Sequence, residues 1–157
     1  MRIGRIGGMV LVLVLAGMAG TLSAQGEEKG TDGGRAYFDF GVFAYQSGEY
    51  AEAAEHFRTA LELAPGNPAY SHYLGRTFLA RKQYEKAKIH LNRAMEINPD
   101  IPGLKYDAAM VRFREGDYET AAPLFEKAVA EAPEDVLAGY YAGIALFRLE
   151  RYDAAAE

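Results

Sequence analysis

A tyrosine recurs every 34 residues through most of this chain, and that recurrence restricts its fold more than any other feature. The four tyrosines are Tyr50, Tyr84, Tyr118 and Tyr152. A fixed interval of this length indicates a tandem array of one structural unit. Five further sets of residues keep the same spacing: Ala53, Ala87, Ala121 and Ala155; Ala60, Ala94 and Ala128; Phe57, Leu91 and Phe125; Pro65, Pro99 and Pro133; and Gly41, Gly75 and Gly143, with Ala109 at the third position of that set.

Each repeat contains two amphipathic helical patterns separated by a short polar break. In the second repeat Tyr73, Leu74 and Phe78 recur at helical spacing, and Leu91 and Met95 do so after the break. Each helix therefore has one apolar face that it cannot bury alone. The repeated Gly and Ala positions allow two helix backbones to approach closely, while a neighbouring aromatic side chain fills the space beside them.

In this order of small, aromatic and proline positions the chain resembles the tetratricopeptide repeat proteins, whose 34-residue unit is a helix, a turn and a helix. The resemblance extends from Gly34 to the end of the sequence. It implies an all-α fold in which tandem helix-turn-helix repeats stack as a right-handed α-solenoid. The implied repeats are residues 34–67, 68–101, 102–135 and an incomplete fourth repeat, 136–157.

Local signals predict where individual helices begin and end. Asn67 can cap the helix that starts with Pro68, and Asp135 occupies the equivalent capping position before the fourth repeat. Pro123 falls near the start of a second helix, where we expect a local bend and not a break. Tyr152 repeats the opening of a second helix shortly before the sequence ends, so we expect a fragment of a longer protein or a terminal helix that frays and associates.

Residues 1–24 have the pattern of a secretory signal peptide. Arg2 and Arg5 provide a positive start, an uncharged apolar run follows, and small residues precede Gln25. The pattern predicts export to the periplasm or the exterior, and the alternative is an uncleaved membrane anchor. Residues 25–33 are polar and glycine-rich, which is typical of a flexible linker. The chain has no cysteine, which excludes disulfides, thiolate metal sites and a lipid-modified terminal cysteine.

The charge balance argues against nucleic acid as a partner. Removal of Arg2 and Arg5 with the signal peptide lowers the basic residues from 17 to 15 against 22 acidic ones. Arg81 and Lys82 are the only adjacent basic pair, and no longer cationic run is present to attract phosphates.

No pattern in the sequence indicates catalysis, a cofactor or a small-molecule substrate. His56 and His90 share one repeat position, but two imidazoles without a matched carboxylate or thiolate make a weak metal site. Arg112 replaces an apolar residue of the other repeats and could contact a ligand, or its stem could pack while the guanidinium reaches a carboxylate or solvent. We therefore expect no enzyme activity, metal or cofactor.

The resemblance implies a concave groove lined by the first helices of successive repeats. Transferring the groove positions of the family gives three residues per repeat: Phe38, Val42 and Tyr45; His72, Arg76 and Leu79; Tyr106, Met110 and Phe113; Tyr140, Ile144 and Phe147. Such large side chains could hold an extended peptide or a partner helix. The alternative is that many of them pack against neighbouring helices. Phe38 and Val42 occupy positions where some family members begin a clamp for a terminal carboxylate, so that specificity is not expected.

The sequence thus predicts an exported module that binds a protein or peptide and acts as a scaffold in the cell envelope. One alternative is a structural element that self-associates, including through its incomplete C-terminal repeat. Another is a targeting arm for an enzyme domain on a longer chain.

Overall fold

The computed structural model describes the backbone of residues 33–156 and the side chains of residues 33–150. The predicted signal peptide and most of the predicted linker lie outside the described residues. Within the described part of the chain there are seven helices and no strand. The helices are α1 (Arg35–Gln46), α2 (Tyr50–Leu63), α3 (Pro68–Ala80), α4 (Tyr84–Ile97), α5 (Leu104–Glu115), α6 (Tyr118–Glu131) and α7 (Val136–Ala156).

Each helix packs mainly against the helices before and after it, as expected for a solenoid of stacked units. The pairs α1/α2, α3/α4 and α5/α6 are the first three helical hairpins. The first helices also contact one another, since α3 touches both α1 and α5. The predicted all-α repeat solenoid is confirmed.

The predicted helix starts are confirmed by their capping bonds. Asn67 Oδ1 accepts a hydrogen bond of 3.0 Å from the Ala69 amide, and Pro68 is the first residue of α3. Asp135 Oδ1 accepts a bond of 2.9 Å from the Leu137 amide at the start of α7. These acceptors satisfy amides that have no partner inside the helix. Helix α6 continues through Pro123 without a break.

The repeated small residues lie at the closest approaches between paired helices. A Cβ atom on Gly41 would lie 2.6 Å from the Phe57 ring, and one on Gly75 would lie 2.7 Å from Leu91 Cγ. Both distances are shorter than van der Waals contact, so only glycine fits without movement. The core residues Phe57, Leu91 and Phe125 are fully buried, as the repeated spacing predicts.

The turns between paired helices share one backbone conformation in the first three repeats. Gly48, Lys82 and Gly116 have φ values of 80°, 59° and 83°, in the left-handed region that favours glycine. In each turn, the residue after the one with positive φ donates its backbone amide to the carbonyl five residues earlier. In the second repeat this hydrogen bond joins Gln83 N to Phe78 O at 2.9 Å.

The fourth repeat departs from the predicted hairpin. Helix α7 continues to Ala156, so the break expected before Tyr152 is absent and that prediction is wrong. Glu150 occupies the position equivalent to Gly48, Lys82 and Gly116, and it shares with Lys82 an intrinsic preference for the helix over a left-handed turn.

None of the helices within the described residues combines the length and the apolar character needed to cross a membrane.

Candidate protein-binding groove

Three aromatic side chains at the predicted groove positions contact other residues of a neighbouring first helix. The Phe38 ring on α1 lies 4.9 Å, centroid to centroid, from the rings of Tyr70 and Tyr73 on α3. On α5, the rings of Tyr106 and Phe113 lie 6.5 Å and 5.4 Å from the Tyr141 ring on α7. The partner rings in these contacts lie outside the predicted groove positions, and a contact that joins two predicted residues on different helices is that of Arg76 with the Tyr45 ring.

The predicted residues differ widely in exposure. His72 and Met110 are only 2% and 8% exposed, so the first cannot reach a ligand directly and the second can supply at most a floor. Tyr140 and Phe147 are the most exposed, at 60% and 56%. The other eight are half-buried: Phe38, Val42, Tyr45, Arg76, Leu79, Tyr106, Phe113 and Ile144.

A buried carboxylate that the sequence reasoning missed links α3 to α5. Asp107 Oδ2 lies 2.7 Å from His72 Nε2, and both side chains are almost entirely buried. Arg76 Nε lies 3.1 Å from the same oxygen as an ion pair, although its N–H has no aligned acceptor among the described residues. The sequence offered one sign of this contact, because Asp107 interrupts the apolar run from Tyr106 to Val111. A charge buried in such a run needs a partner, since an unpaired buried charge costs free energy.

Arg76 is also held by two aromatic rings. Its guanidinium carbon lies 5.5 Å from the centre of the Tyr45 ring and 5.3 Å from that of Tyr73. Such contacts between a cation and an aromatic face are attractive. Burial raises the pKa of the Tyr45 hydroxyl, and the Arg76 charge opposes part of that rise. Together with Asp107, these contacts hold a partly exposed cation at a predicted groove position.

Phe113 packs within a second cluster of buried residues. Its ring lies 5.4 Å from Tyr118, 6.1 Å from Phe125 and 5.4 Å from Tyr141. Burial likewise raises the pKa of the neighbouring Tyr106 hydroxyl. These contacts give Tyr106 and Phe113 a packing role, whereas Tyr140 presents most of its ring to solvent.

The remaining polar residues noted in the sequence have local partners. Arg112 Nη1 lies 3.8 Å from Glu115 Oε2, and His56 Nε2 lies 3.5 Å from Glu52 Oε1. The His90 ring stacks on Phe78 at 5.5 Å. Over the described residues, no group of three or more His, Cys, Asp or Glu side chains is arranged to hold a metal ion.

Comparisons with known proteins agree with this architecture. Two sequence profiles described as tetratricopeptide repeat match residues 44–110 and 106–157. No curated protein sequence matches the chain.

Three solved structures illustrate the structural likeness. The first TPR of Spaghetti (RPAP3), bound to an HSP90 peptide, has a TM-score of 0.73 and 18% identity, covering 80% of this chain and 99% of its own. The Sgt2 TPR domain from Aspergillus fumigatus has a TM-score of 0.72 and 23% identity, and the match covers 81% of this chain and 85% of that domain. The Arabidopsis OM64 TPR domain has a TM-score of 0.69 and 20% identity, and the match covers 71% of this chain and 93% of that domain. At these identities the likeness shows the fold, and with the two profile matches it establishes that the chain belongs to the tetratricopeptide repeat family.

Proposed function

We propose that this chain is an exported protein-interaction module that binds a protein or peptide along its first helices and acts as a scaffold in the cell envelope. Tetratricopeptide repeat domains bind peptides or proteins, so the general role of a protein-interaction module follows from membership of this family. The proposed binding along the first helices is supported chiefly by the cation Arg76, which Asp107, Tyr45 and Tyr73 hold in place. A side chain ordered before binding loses little entropy when it contacts a partner.

The proposed ligand differs from a chaperone tail. The RPAP3 domain with the similar fold was solved with the HSP90 peptide SRMEEVD. In this chain Phe38 and Val42 occupy positions where a clamp for a terminal carboxylate would begin, and the Phe38 ring packs on Tyr70 and Tyr73. We expect an internal segment of a partner, not its C-terminus, to bind.

Export is proposed from the sequence alone. The charged start, apolar run and small-residue boundary of residues 1–24 support a signal peptide. Sequencing the N-terminus of protein recovered from the envelope fraction tests this, and we expect it at or near Gln25. Recovery of intact Met1 from the cytoplasm would contradict export.

No catalytic role is included in the proposal. The predicted groove positions are dominated by aromatic and aliphatic side chains, and the buried Asp107 beside them contacts His72 and Arg76. This composition suits contact with a polypeptide better than proton transfer to a small substrate. Nucleic acid is also an unsuitable partner for a chain with 22 acidic and 17 basic residues.

Partner capture with paired variants tests the proposed surface. Tyr140→Ala removes an exposed aromatic ring from a first helix, and Ile89→Ala removes an equally exposed side chain from the second helix α4. A partner bound on the first helices should be retained by the wild-type protein and by Ile89→Ala but reduced with Tyr140→Ala. Equal retention by both variants would contradict binding at this part of the surface.

Self-association is a second candidate because apolar side chains are exposed on the first and the last of the described helices. On α1, Phe43 is 70% exposed, and on α7, Val136 is 81% exposed. Exposed apolar groups of this kind can mark contact surfaces between proteins. Light scattering over a range of concentrations distinguishes this role, since a mass that rises with concentration would favour it.

A further inference from the structure

A pocket opens at one edge of the groove, between the second and third repeats. Its volume is about 510 Å³, and it involves the C-terminal end of α3, the turn that follows and the facing side of α5. The residues that line it are Leu79, Ala80, Lys82, Tyr84, Met110 and Arg114.

Two departures of the second repeat from its neighbours occur in this pocket. In the first and third repeats an aromatic ring contacts the repeated tyrosine, with centroids 5.3 Å apart for Tyr45 and Tyr50 and 5.4 Å apart for Phe113 and Tyr118. The second repeat has Leu79 at that position, beside Tyr84. A smaller side chain in place of a ring accounts for open space between these two residues.

The second departure is Lys82, which has a left-handed backbone where the other two turns have glycine. Its φ of 59° makes it the single non-glycine residue with positive φ in the described part of the chain. Residues held in this conformation against their preference are concentrated at functional sites. Glycine would fit this turn more easily, so the backbone of the turn does not itself require a lysine side chain.

The pocket carries two positive charges without an acidic partner. In the part of the chain with described side chains, neither Lys82 nor Arg114 forms an ion pair, whereas nearby Glu115 is paired with Lys88 and Arg112. Asp117, the next acid, accepts a bond from the Thr120 amide.

Both cations lie near helix C-termini, where a partial negative charge accumulates. That charge is roughly half an elementary charge per helix end, so two full positive charges exceed it. Tyr84 adds a hydroxyl that can donate a hydrogen bond, while Leu79 and Met110 give the pocket an apolar part.

From this geometry we infer that the pocket binds the carboxylate of an aspartate or glutamate side chain in the partner, with an adjacent apolar side chain resting on Leu79 and Met110. The inference depends on the proposed peptide-binding function and adds a preference for partner segments that contain an acidic side chain. Lys82 and Arg114 would select the charge, because charge-assisted bonds to a carboxylate are stronger than bonds to a neutral amide. The smaller Leu79 would leave room for the apolar neighbour.

Two pools of octapeptides, acetylated and amidated at their ends, provide the probe. The pools are identical except for a central Glu-Leu in one and Gln-Leu in the other, and the blocked ends exclude binding through a terminal carboxylate. Fluorescence anisotropy with the full chain should show about fivefold tighter binding of the Glu pool, as two partly exposed ion pairs would give. High salt should reduce the difference.

Four variants locate the effect. Lys82→Gly restores the residue of the other turns while removing the charge, and Arg114→Gln removes the second charge; each should lower the preference to about twofold. Leu79→Phe should weaken both pools by filling the pocket. Lys127→Gln removes an exposed charge on α6, outside the pocket, and should leave the preference unchanged.

The result that overturns the inference is equal binding of both pools by the wild-type chain, or a preference that survives in the Lys82→Gly/Arg114→Gln double variant. Equal but measurable binding would leave the peptide-binding function supported while removing the acidic specificity. Absence of binding to either pool also overturns the inference, and the capture experiment with Tyr140→Ala then decides separately whether the groove binds a protein.

Discussion

His72 Nε2 lies 2.7 Å from Asp107 Oδ2 in a buried contact that joins the first helices of two successive repeats. His72 is the fifth residue of α3 and Asp107 the fourth of α5, so the contact crosses a repeat boundary. The same carboxylate oxygen lies 3.1 Å from Arg76 Nε. The pair therefore contributes both to the stacking of the repeats and to the position of a cation at a predicted groove position.

Loss of the Asp107 carboxylate should destabilise the fold. Asp107→Ala leaves the buried His72 imidazole without this partner, which should lower the free energy of unfolding by about 1–3 kcal/mol. Asp107→Asn retains an acceptor and should lower it less. Urea unfolding of both variants, and of each combined with His72→Phe, measures the coupling. Additive effects of the two substitutions would show that the contact contributes nothing of its own.

The stability of the chain should depend on His90 in mildly acidic solution. Burial lowers the pKa of His90 below its ordinary value of 6.5, and the charges of Arg93 and Arg58 act in the same direction. The unfolded chain then binds a proton at higher pH than the folded chain, so the free energy of unfolding falls as the pH drops below about 6.5.

His90→Gln should remove this part of the pH dependence. The check is urea unfolding of the wild type and the variant at pH values above and below the ordinary pKa of histidine. The difference in stability between the two proteins should change with pH in the direction given above. A constant difference would mean that His90 has the same pKa in the folded and unfolded chains.

The features predicted correctly from the sequence depend on contacts between residues that are close in the sequence or lie in one hairpin. Asn67 caps α3 through the Ala69 amide two residues away, and Gly41 meets Phe57 within one hairpin. Local capping chemistry and a fixed repeat interval are sufficient for such features.

The features that were missed depend on contacts between repeats or on a residue in an unfavoured conformation. Asp107 was overlooked because its partners His72 and Arg76 belong to the preceding repeat. Lys82 adopts a left-handed turn although its side chain does not favour one, whereas Glu150 at the equivalent position continues the helix. Intrinsic preference alone does not separate lysine from glutamate here, and the packing of α4 against α3 holds the turn at Lys82.

Two glycines at equivalent repeat positions should respond in opposite ways to alanine. A Cβ atom on Gly75 would lie 2.7 Å from Leu91 Cγ and 3.2 Å from the Leu91 backbone nitrogen, so Gly75→Ala should cost about 1–3 kcal/mol through overpacking. At Gly143 no atom of the residues with described side chains lies within 4 Å of that point. Gly143→Ala should instead stabilise α7 by about 0.5–1 kcal/mol, because alanine favours the helix.

Thermal or urea unfolding of the two glycine variants provides the test, and each variant is the control for the other. A loss of similar size in both would mean that α7 packs at Gly143 as α3 packs at Gly75. The prediction would then fail together with the open environment on which it depends.

The last prediction separates packing from binding at two groove aromatics. Phe113 contacts the rings of Tyr118, Phe125 and Tyr141, so Phe113→Ala should lower the free energy of unfolding by about 2–4 kcal/mol through a cavity. Tyr140 is 60% exposed, so Tyr140→Ala should change stability by less than about 0.5 kcal/mol.

The effects of the two substitutions on binding should have the reverse order, with the larger loss of affinity for Tyr140→Ala. Truncation of an exposed aromatic anchor commonly weakens a complex by about 1–3 kcal/mol, which is the expected loss for Tyr140→Ala with a captured partner. Phe113→Ala, measured where it remains folded, should weaken binding less because most of its ring contacts are intramolecular. If Tyr140→Ala bound normally while folded Phe113→Ala bound weakly, the prediction would be wrong. The partner would then contact the half-buried residues of α5 and not the exposed face of α7.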